Sequence, residues 1–210
     1  MILARLSAVL LAAAPLVAGA AERQEWRFEV LLDGSPIGQQ SFRLERDQAE
    51  TRVTIDAAFD VKVLFFTVYS YRHHNEELWS GECLRSMQSE TNDNGRKFFV
   101  RAGAEADGLE VEDVSGRRRL ADCIVSFSYW APSRLGAGRL LNSQTGEYEE
   151  VALHELGEKT VDLRGVATQV RHVALEGSKL HIELWYSAAG DWLALESLTT
   201  SGRRLKYVRL

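Results

Sequence analysis

The chain has 210 residues, of which 45% are hydrophobic and 26% are charged, and its formal net charge is −5 at pH 7. A chain of this length can bury the core of one domain. Its mildly acidic balance lacks the basic patch that nucleic acid requires, so nucleic-acid partners are excluded.

The N-terminus has the pattern of a secretory signal peptide. Arg5 is the only charged residue before an apolar run from Leu6 to Val17, and small residues follow at 18–20. The run is shorter than the ~20 residues of a membrane-spanning helix, although a retained anchor is the alternative. We predict cleavage after Ala20 and a periplasmic or secreted single domain over residues 21–210, with no later transmembrane segment.

Apolar and polar residues alternate along most of the remaining chain, which is the period of half-buried antiparallel strands. Glycine-containing pairs such as Asp33-Gly34 and Asn94-Gly95 separate the runs and predict turns. The best helix candidate, Glu147–Leu156, also alternates, so we predict a strand there. The clearest alternating runs are residues 26–32, 42–45, 53–60, 166–172 and 180–186.

One irregular stretch interrupts this pattern. Residues 131–146 contain a proline and three glycines, and we predict that they form a crossover or a lid. The predicted fold is all-β: a single antiparallel meander of about a dozen strands. So many strands favour a sheet that curls into a β-roll or barrel over one that stays open and flat.

Cys83 and Cys123 are the two cysteines of the chain. In an exported protein an even number favours a disulfide, and two separately buried thiols are the alternative. Neither cysteine has the CxxC or Cys/His spacing of a metal site. We therefore predict no metal and no cofactor.

The apolar and aromatic stretch from Val61 to Gly95 is the centre of the functional prediction. If residues 67–79 form one strand, Tyr69, Tyr71, His73 and Glu77 share a face. A face that is aromatic and also forms hydrogen bonds suits a ligand with apolar and polar parts. The alternative is an interior polar network that sets the register of the sheet.

Tryptophans near strand ends complete the candidate wall. Trp130 and Trp185 would border the mouth of a cavity, although most buried tryptophans simply belong to a core. The predicted ligand-binding residues are Tyr69, Tyr71, His73, Glu77, Trp130 and Trp185.

Catalytic motifs are weak in this sequence. His73 and His74 are adjacent, so on a strand they point to opposite faces and cannot chelate one ion. Gly34-Ser35-Pro36-Ile37-Gly38 lies in a predicted hairpin turn instead of the strand-to-helix elbow that a nucleophilic serine needs. We assign no catalytic residue.

A set of turn and aromatic motifs recurs along the chain: Tyr71–Trp79, Leu84 with Thr91 and Asn94-Gly95, Ser128–Trp130, Leu141–Gly146, Trp185-Tyr186 with Trp192-Leu193, and Leu205–Tyr207. Together these segments resemble an uncharacterised family of exported bacterial proteins of proteobacterial type. The resemblance covers nearly the whole mature chain but implies no site residues, because that family has no established function. The closing strands are also similar to periplasmic β-roll proteins that shelter lipids or peptides.

The leading functional prediction is a non-enzymatic binding or carrier protein for a lipid-like or other amphipathic molecule. A cell-envelope scaffold or protein-interaction module is the first alternative. An envelope hydrolase using His73 and Glu77 is the second, and it requires these two side chains to meet in a shared cleft.

Overall fold

The computed structural model describes residues 22–47 and 49–210. The predicted signal peptide and its cleavage site after Ala20 lie outside the described residues. Within them, the fold is all-β with one 3-10 helix at Pro132–Ala137. No helix in this part of the chain has the length and hydropathy needed to cross a bilayer.

The described residues form 14 strands. Their bounds are β1 Glu22–Leu32, β2 Ser35–Arg46, β3 Glu50–Val63, β4 Phe66–Ser80, β5 Cys83–Asp93, β6 Arg96–Glu105, β7 Gly108–Asp113, β8 Gly116–Leu120, β9 Arg139–Leu141, β10 Tyr148–Leu163, β11 Val166–Gly177, β12 His181–Tyr186, β13 Trp192–Leu198 and β14 Arg204–Arg209.

All 14 strands belong to one antiparallel sheet, which confirms the predicted fold class. The order across the sheet is β8-β7-β6-β5-β4-β3-β2-β1-β14-β13-β12-β11-β10-β9. The first and last strands of the chain therefore pair in the middle, and every other neighbour in the sheet is also a neighbour in sequence. The segment predicted as a strand, residues 147–156, belongs to β10 except for its first residue, Glu147.

The alternation of the sequence becomes the two faces of this sheet. In β1, Trp26, Phe28, Val30 and Leu32 are buried, whereas residues 25, 27, 29 and 31 are exposed or half-buried. Each large apolar side chain that is removed from water in this way stabilises the fold by roughly 1.5–3 kcal/mol. The inward residues of most strands join one hydrophobic core.

The sheet curls until its two edges approach each other. Arg118 of β8 donates to the carbonyl of Gly146, which precedes β10. A crossover, residues 121–131, lies against both sides of the curl: Leu84 N donates to Ile124 O over 2.9 Å, and Leu141 N donates to Val125 O over 2.8 Å. The crossover thus joins the start of β5 to β9.

A disulfide between Cys83 and Cys123 attaches the same crossover to β5, as predicted. The two residues are 40 positions apart in sequence. Closing a loop of this length stabilises a fold by about 4 kcal/mol in the chain-entropy account. The bond therefore stabilises the placement of the crossover inside the curl.

The long β10–β11 hairpin folds back over the outer face of the sheet. Its pairing shifts between Glu155 and Gly157, and the left-handed φ of +88° at Gly157 permits this bulge. Beyond the bulge, Arg164 at the tip reaches Glu29 of β1 at 3.1 Å. The hairpin covers a small outer cluster that includes Val170 and Trp185.

Candidate functional site

The inner face of β4 crosses two different environments. Tyr71 and His73 border a cavity, whereas Asn75, Glu77 and Trp79 lie in solid interior. The alternation predicted for this strand is therefore confirmed, since these residues point inward and the intervening ones are exposed or half-buried. What each inward residue contacts depends on its position along the strand.

Glu77 is only 3% exposed and is surrounded by hydrogen-bond donors. Its Oε1 accepts from Asn75 Nδ2 at 2.9 Å and from Ser126 Oγ at 3.0 Å, and its Oε2 accepts from Trp79 Nε1 at 2.9 Å. Burial raises the pKa of the Glu77 carboxyl above its usual range, although these hydrogen bonds favour the ionised form. The network joins β4 to the crossover and is closed to solvent.

Arg134 of the 3-10 helix packs beside this network. Its guanidinium carbon lies 4.5 Å from the ring centre of Trp79 and 4.7 Å from that of Trp130. Its Nη2 also donates to the carbonyl of Gly81 over 2.8 Å. These cation–π contacts hold Trp130 in the core.

A tight loop after β9, residues 142–147, forms one side of the cavity. Asn142 organises it: the Asn142 Oδ1 accepts from the backbone N–H of Gln144 at 2.9 Å, and the Asn142 carbonyl accepts from Gly146 N at 2.8 Å. The left-handed φ of +79° at Gly146 completes the turn. The stretch 131–146, which was predicted to be a crossover or a lid, contains the 3-10 helix, β9 and most of this loop.

Side chains from three strands hold the loop in place. Tyr71 donates to Gln144 Oε1 over 2.9 Å, and Ser143 Oγ lies 3.4 Å from His73 Nε2. Ser89 donates to the Ser143 carbonyl. The other end of the loop is fixed by Arg118, which donates to Gly146 O and pairs with Asp113 at 2.6 Å. The loop is therefore attached to β4, β5 and β8.

Between this loop and the strands lies an open cavity of about 440 Å³. This volume falls within the range of small-molecule sites. Its buried side is mainly apolar and its solvent-facing side is polar. The buried side includes Phe42, Ile55, Trp192 and Leu195, and the polar side includes Asn142, Ser143, Gln144, Glu147, Glu149 and Lys179.

The histidine and the tyrosines of the cavity wall are neutral at pH 7. Burial is the main reason that the pKa of His73 is lowered to about 4, and the nearby His74 acts in the same direction. Burial also raises the pKa of Tyr71, Tyr129 and Tyr207 above the usual range. His73 is thus uncharged at neutral pH, and its Nδ1 shares a hydrogen bond of 2.8 Å with Thr91 Oγ1.

The structure brings only two of the six predicted ligand-binding residues to the cavity. Tyr71 and His73 line the cavity, whereas Tyr69 donates to Asp93 over 2.7 Å near the strand end and is absent from the lining. Glu77 and Trp130 face inward but belong to the packed interior.

Trp185 is a correction, because it lies on the outer face of the sheet. There it stacks on His172 with ring centres 5.2 Å apart, under the β10–β11 hairpin. The alternation of β12 places Ile182, Leu184 and Tyr186 on the inner face instead.

His73 and Glu77 do not form a joint catalytic pair. His73 contacts Thr91 and Ser143, whereas Glu77 contacts Asn75, Trp79 and Ser126. Glu77 is also absent from the cavity lining. The described residues contain no group of three or more metal-binding side chains placed to hold an ion.

Sequence reasoning missed several cavity residues. Tyr129 and Tyr207 line the cavity from the crossover and from β14, and Trp192 lines it from β13. Tyr207 occupies an inward position in an alternating run, so the sequence pattern was enough to predict that its side chain points into the core. Its distance from His73 in sequence concealed that the two side chains share a wall.

One known protein family matches nearly all of the sheet-forming part of the chain. A sequence profile described as a domain of unknown function, DUF6134, matches residues 28–210. The chain belongs to the DUF6134 family. The match runs from within β1 to the end of the chain, so it includes both the cavity and the loop. It confirms that the chain comes from an uncharacterised family.

A solved structure supports the fold of this DUF6134 member. The crystal structure of a beta-barrel-like protein of the domain of unknown function DUF1849 from Brucella abortus is similar, with a TM-score of 0.62. The similarity covers 89% of this chain and 94% of that chain at 10% sequence identity, so it concerns the fold alone. No curated protein sequence matches the chain significantly.

The buried network predicts a large loss of stability in Glu77→Ala. The substitution leaves three buried donors without an acceptor, each at a cost of about 1–3 kcal/mol. We expect the free energy of unfolding in urea to fall by ~3 kcal/mol or more. Glu76→Ala, on the exposed face of the same strand, should change it by less than ~0.5 kcal/mol. Equal losses in both variants would contradict the network.

His73 should make stability depend on pH. Its pKa is about 4 in the fold and 6.5 in the unfolded reference, so the unfolded state takes up the proton first. The stabilisation that neutral His73 gives to the fold is complete above the unfolded pKa of 6.5. It is lost progressively as the pH falls from that value through the folded pKa of about 4. Between about pH 7.5 and about pH 5 we expect a loss of about 2 kcal/mol.

The measurement is urea unfolding at both pH values. His73→Gln should lack this loss, while His74→Gln, altered at an exposed residue, should retain it. A loss that survives unchanged in His73→Gln would show that His73 is not the group responsible.

Gly146→Ala tests how the loop is attached. An added Cβ would overlap the carboxylate of Asp113, whereas at Gly165, with nearly the same φ of +82°, it would meet nothing within 4 Å. Gly165→Ala therefore isolates the cost of the left-handed backbone. We expect Gly146→Ala to lose ~2 kcal/mol or more beyond Gly165→Ala in urea unfolding. Equal losses would mean that the loop does not pack on Asp113.

Proposed function

We propose that this protein is a non-enzymatic binding or carrier protein that holds a small amphipathic molecule in the cavity beside the loop 142–147. The observation that carries the proposal is the cavity itself, about 440 Å³ with an apolar buried side and a polar outer side. A filled interior would have left no room for a ligand.

The division of the lining defines the class of ligand. Phe42, Ile55 and Trp192 offer an apolar surface that an alkyl or aromatic group can cover. Asn142 and Gln144 offer amide groups near the opening. A molecule with an apolar body and a hydrogen-bonding head matches both sides at once.

The charges at the opening refine the head group. Glu147 and Glu149 face one cation, Lys179, so the fixed charge of this side is −1. His73 adds no positive charge at neutral pH because burial lowers its pKa to about 4. The arrangement favours a neutral or cationic head over an anionic one.

The proposed location is the periplasm or the exterior of a bacterial cell. The leader pattern at residues 1–20 is one support, and the disulfide between Cys83 and Cys123 is the other. Such bonds persist in oxidising compartments and are rare in the cytosol. The family resemblance to exported bacterial proteins agrees with both.

Filling the cavity should abolish binding. Ser197 of β13 lines the cavity and is half-buried, so Ser197→Trp would place an indole in the open space. Native mass spectrometry of the full chain, exported by its own leader, should show a small bound molecule that Ser197→Trp lacks. The neutral fluorophore N-phenylnaphthylamine should bind the variant about tenfold more weakly.

Ser80→Trp is the matched control, because Ser80 is an exposed strand residue outside the lining. It should bind the fluorophore as the unaltered protein does. Absence of both a bound molecule and saturable fluorophore binding in the unaltered protein would refute the proposed function. Equal weakening in the two variants would place the binding site elsewhere.

A further inference from the structure

The end of the β3–β4 hairpin is not paired with the strands on either side of it. Pairing of β3 with β2 ends at Phe59, and pairing of β4 with β5 ends at Tyr71. Residues 61–63 and 66–69 therefore have only each other as strand partners. At ~3.3 Å per residue, this two-stranded ribbon runs about 10 Å without ladder pairing to the strands on either side.

The end of this ribbon is apolar and faces solvent. We call Val63, Leu64, Phe65 and Phe66 the apolar tip. Leu64 is 85% exposed and Phe65 is 96% exposed. Single exposed apolar residues are ordinary on protein surfaces, but four consecutive ones on an exposed hairpin turn form a contiguous patch of the kind that marks an interaction site.

The backbone conformation of this turn does not favour the apolar residues that occupy it. Leu64 has a left-handed φ of +56°, a conformation that is disfavoured for leucine. Two other hairpins of the sheet have Asp33 and Asn94 at the equivalent position, each followed by glycine. An Asn-Gly pair would suit the β3–β4 turn better, so the apolar side chains are present despite the turn geometry.

From these features we propose that the apolar tip inserts into the surface of a lipid bilayer. The tip is convex and small, whereas a stable protein interface buries about 800 Å² on each partner, from 20–30 residues a side. A bilayer needs no matching groove, because its headgroup region deforms around Phe and Leu side chains. Lipid is thus the occupant that this shape fits.

The charge beside the tip agrees with a lipid surface. Lys62 is exposed and forms no ion pair within residues 22–47 and 49–210. The nearest acid on the ribbon, Asp60, is neutralised by Arg72 at 2.8 Å. The ribbon therefore presents one uncompensated positive charge toward the headgroups, which favours anionic lipid modestly.

The same strand connects the tip to the cavity. Tyr71 lies five residues after Phe66 on β4, about 16 Å along the strand. Insertion would therefore place the cavity wall near the headgroups. The inference does not depend on the proposed function, because a tip with an empty cavity would bind vesicles equally well.

The test is flotation of the full mature chain with vesicles of phosphatidylethanolamine and phosphatidylglycerol. The double variant Leu64→Asn/Phe65→Ser removes the two most exposed side chains, and Asn accepts the left-handed backbone at residue 64. We expect its partition coefficient to fall by about tenfold or more. Phe65→Trp should gain blue-shifted emission when vesicles are added.

The matched control is Val166→Ser/Leu198→Ser, which removes two apolar residues that are 62% and 63% exposed elsewhere. It should bind vesicles as the unaltered protein does. Equal binding by all three proteins would overturn the inference. Self-association that only the tip variant loses, without vesicle binding, would also overturn it and assign the tip to a second copy of the chain.

Discussion

The inner face of the 14-strand sheet must be removed from water, and most of the molecule follows from this constraint. A single sheet with no helical layer over it in the described part of the chain can bury one face only by curling on itself. The curl leaves a hollow, which the crossover fills with Ile124 and Trp130, and the 3-10 helix with Leu135. The crossover fills the hollow only if it is held at the right place. The disulfide and the buried hydrogen bonds of Glu77 hold it there.

The hollow is filled unevenly. Near Trp79 the crossover packs against β4, and Arg134 lies over two indole rings. Near Tyr71 the chain instead sends a polar loop, residues 142–147, whose own amide groups are satisfied internally and by side chains of the sheet. A polar loop cannot replace apolar filling without burying unpaired groups. The space beside it therefore remains open, and the cavity results from the difference between the apolar crossover and this polar loop.

The β3–β4 hairpin carries both a wall of the cavity and an exposed apolar end. Its inner face supplies Tyr71 and His73 to the cavity, and its end carries the exposed Leu64 and Phe65. Strand pairing runs from Trp79 to Phe66 and is interrupted by one bulge, opposite the step from Val61 to Lys62. A carrier that collects or delivers an amphipathic molecule at a membrane would use both features, the tip to reach the lipid and the cavity to shield the ligand.

The sequence alone determined the fold class, the two faces of most strands and the inward direction of Tyr71, His73 and Glu77, because a period of two is a local property of an extended chain. The sequence also indicated that Trp185 lies on the outer face, because the alternation along β12 places it on the face opposite to Tyr186. Only the tertiary structure decided that His73 meets open space while Glu77, four residues later, meets solid core. That difference depends on Ser143 and Ser126, which arrive from distant parts of the chain. Local periodicity reveals which way a side chain points, but long-range folding determines what it contacts.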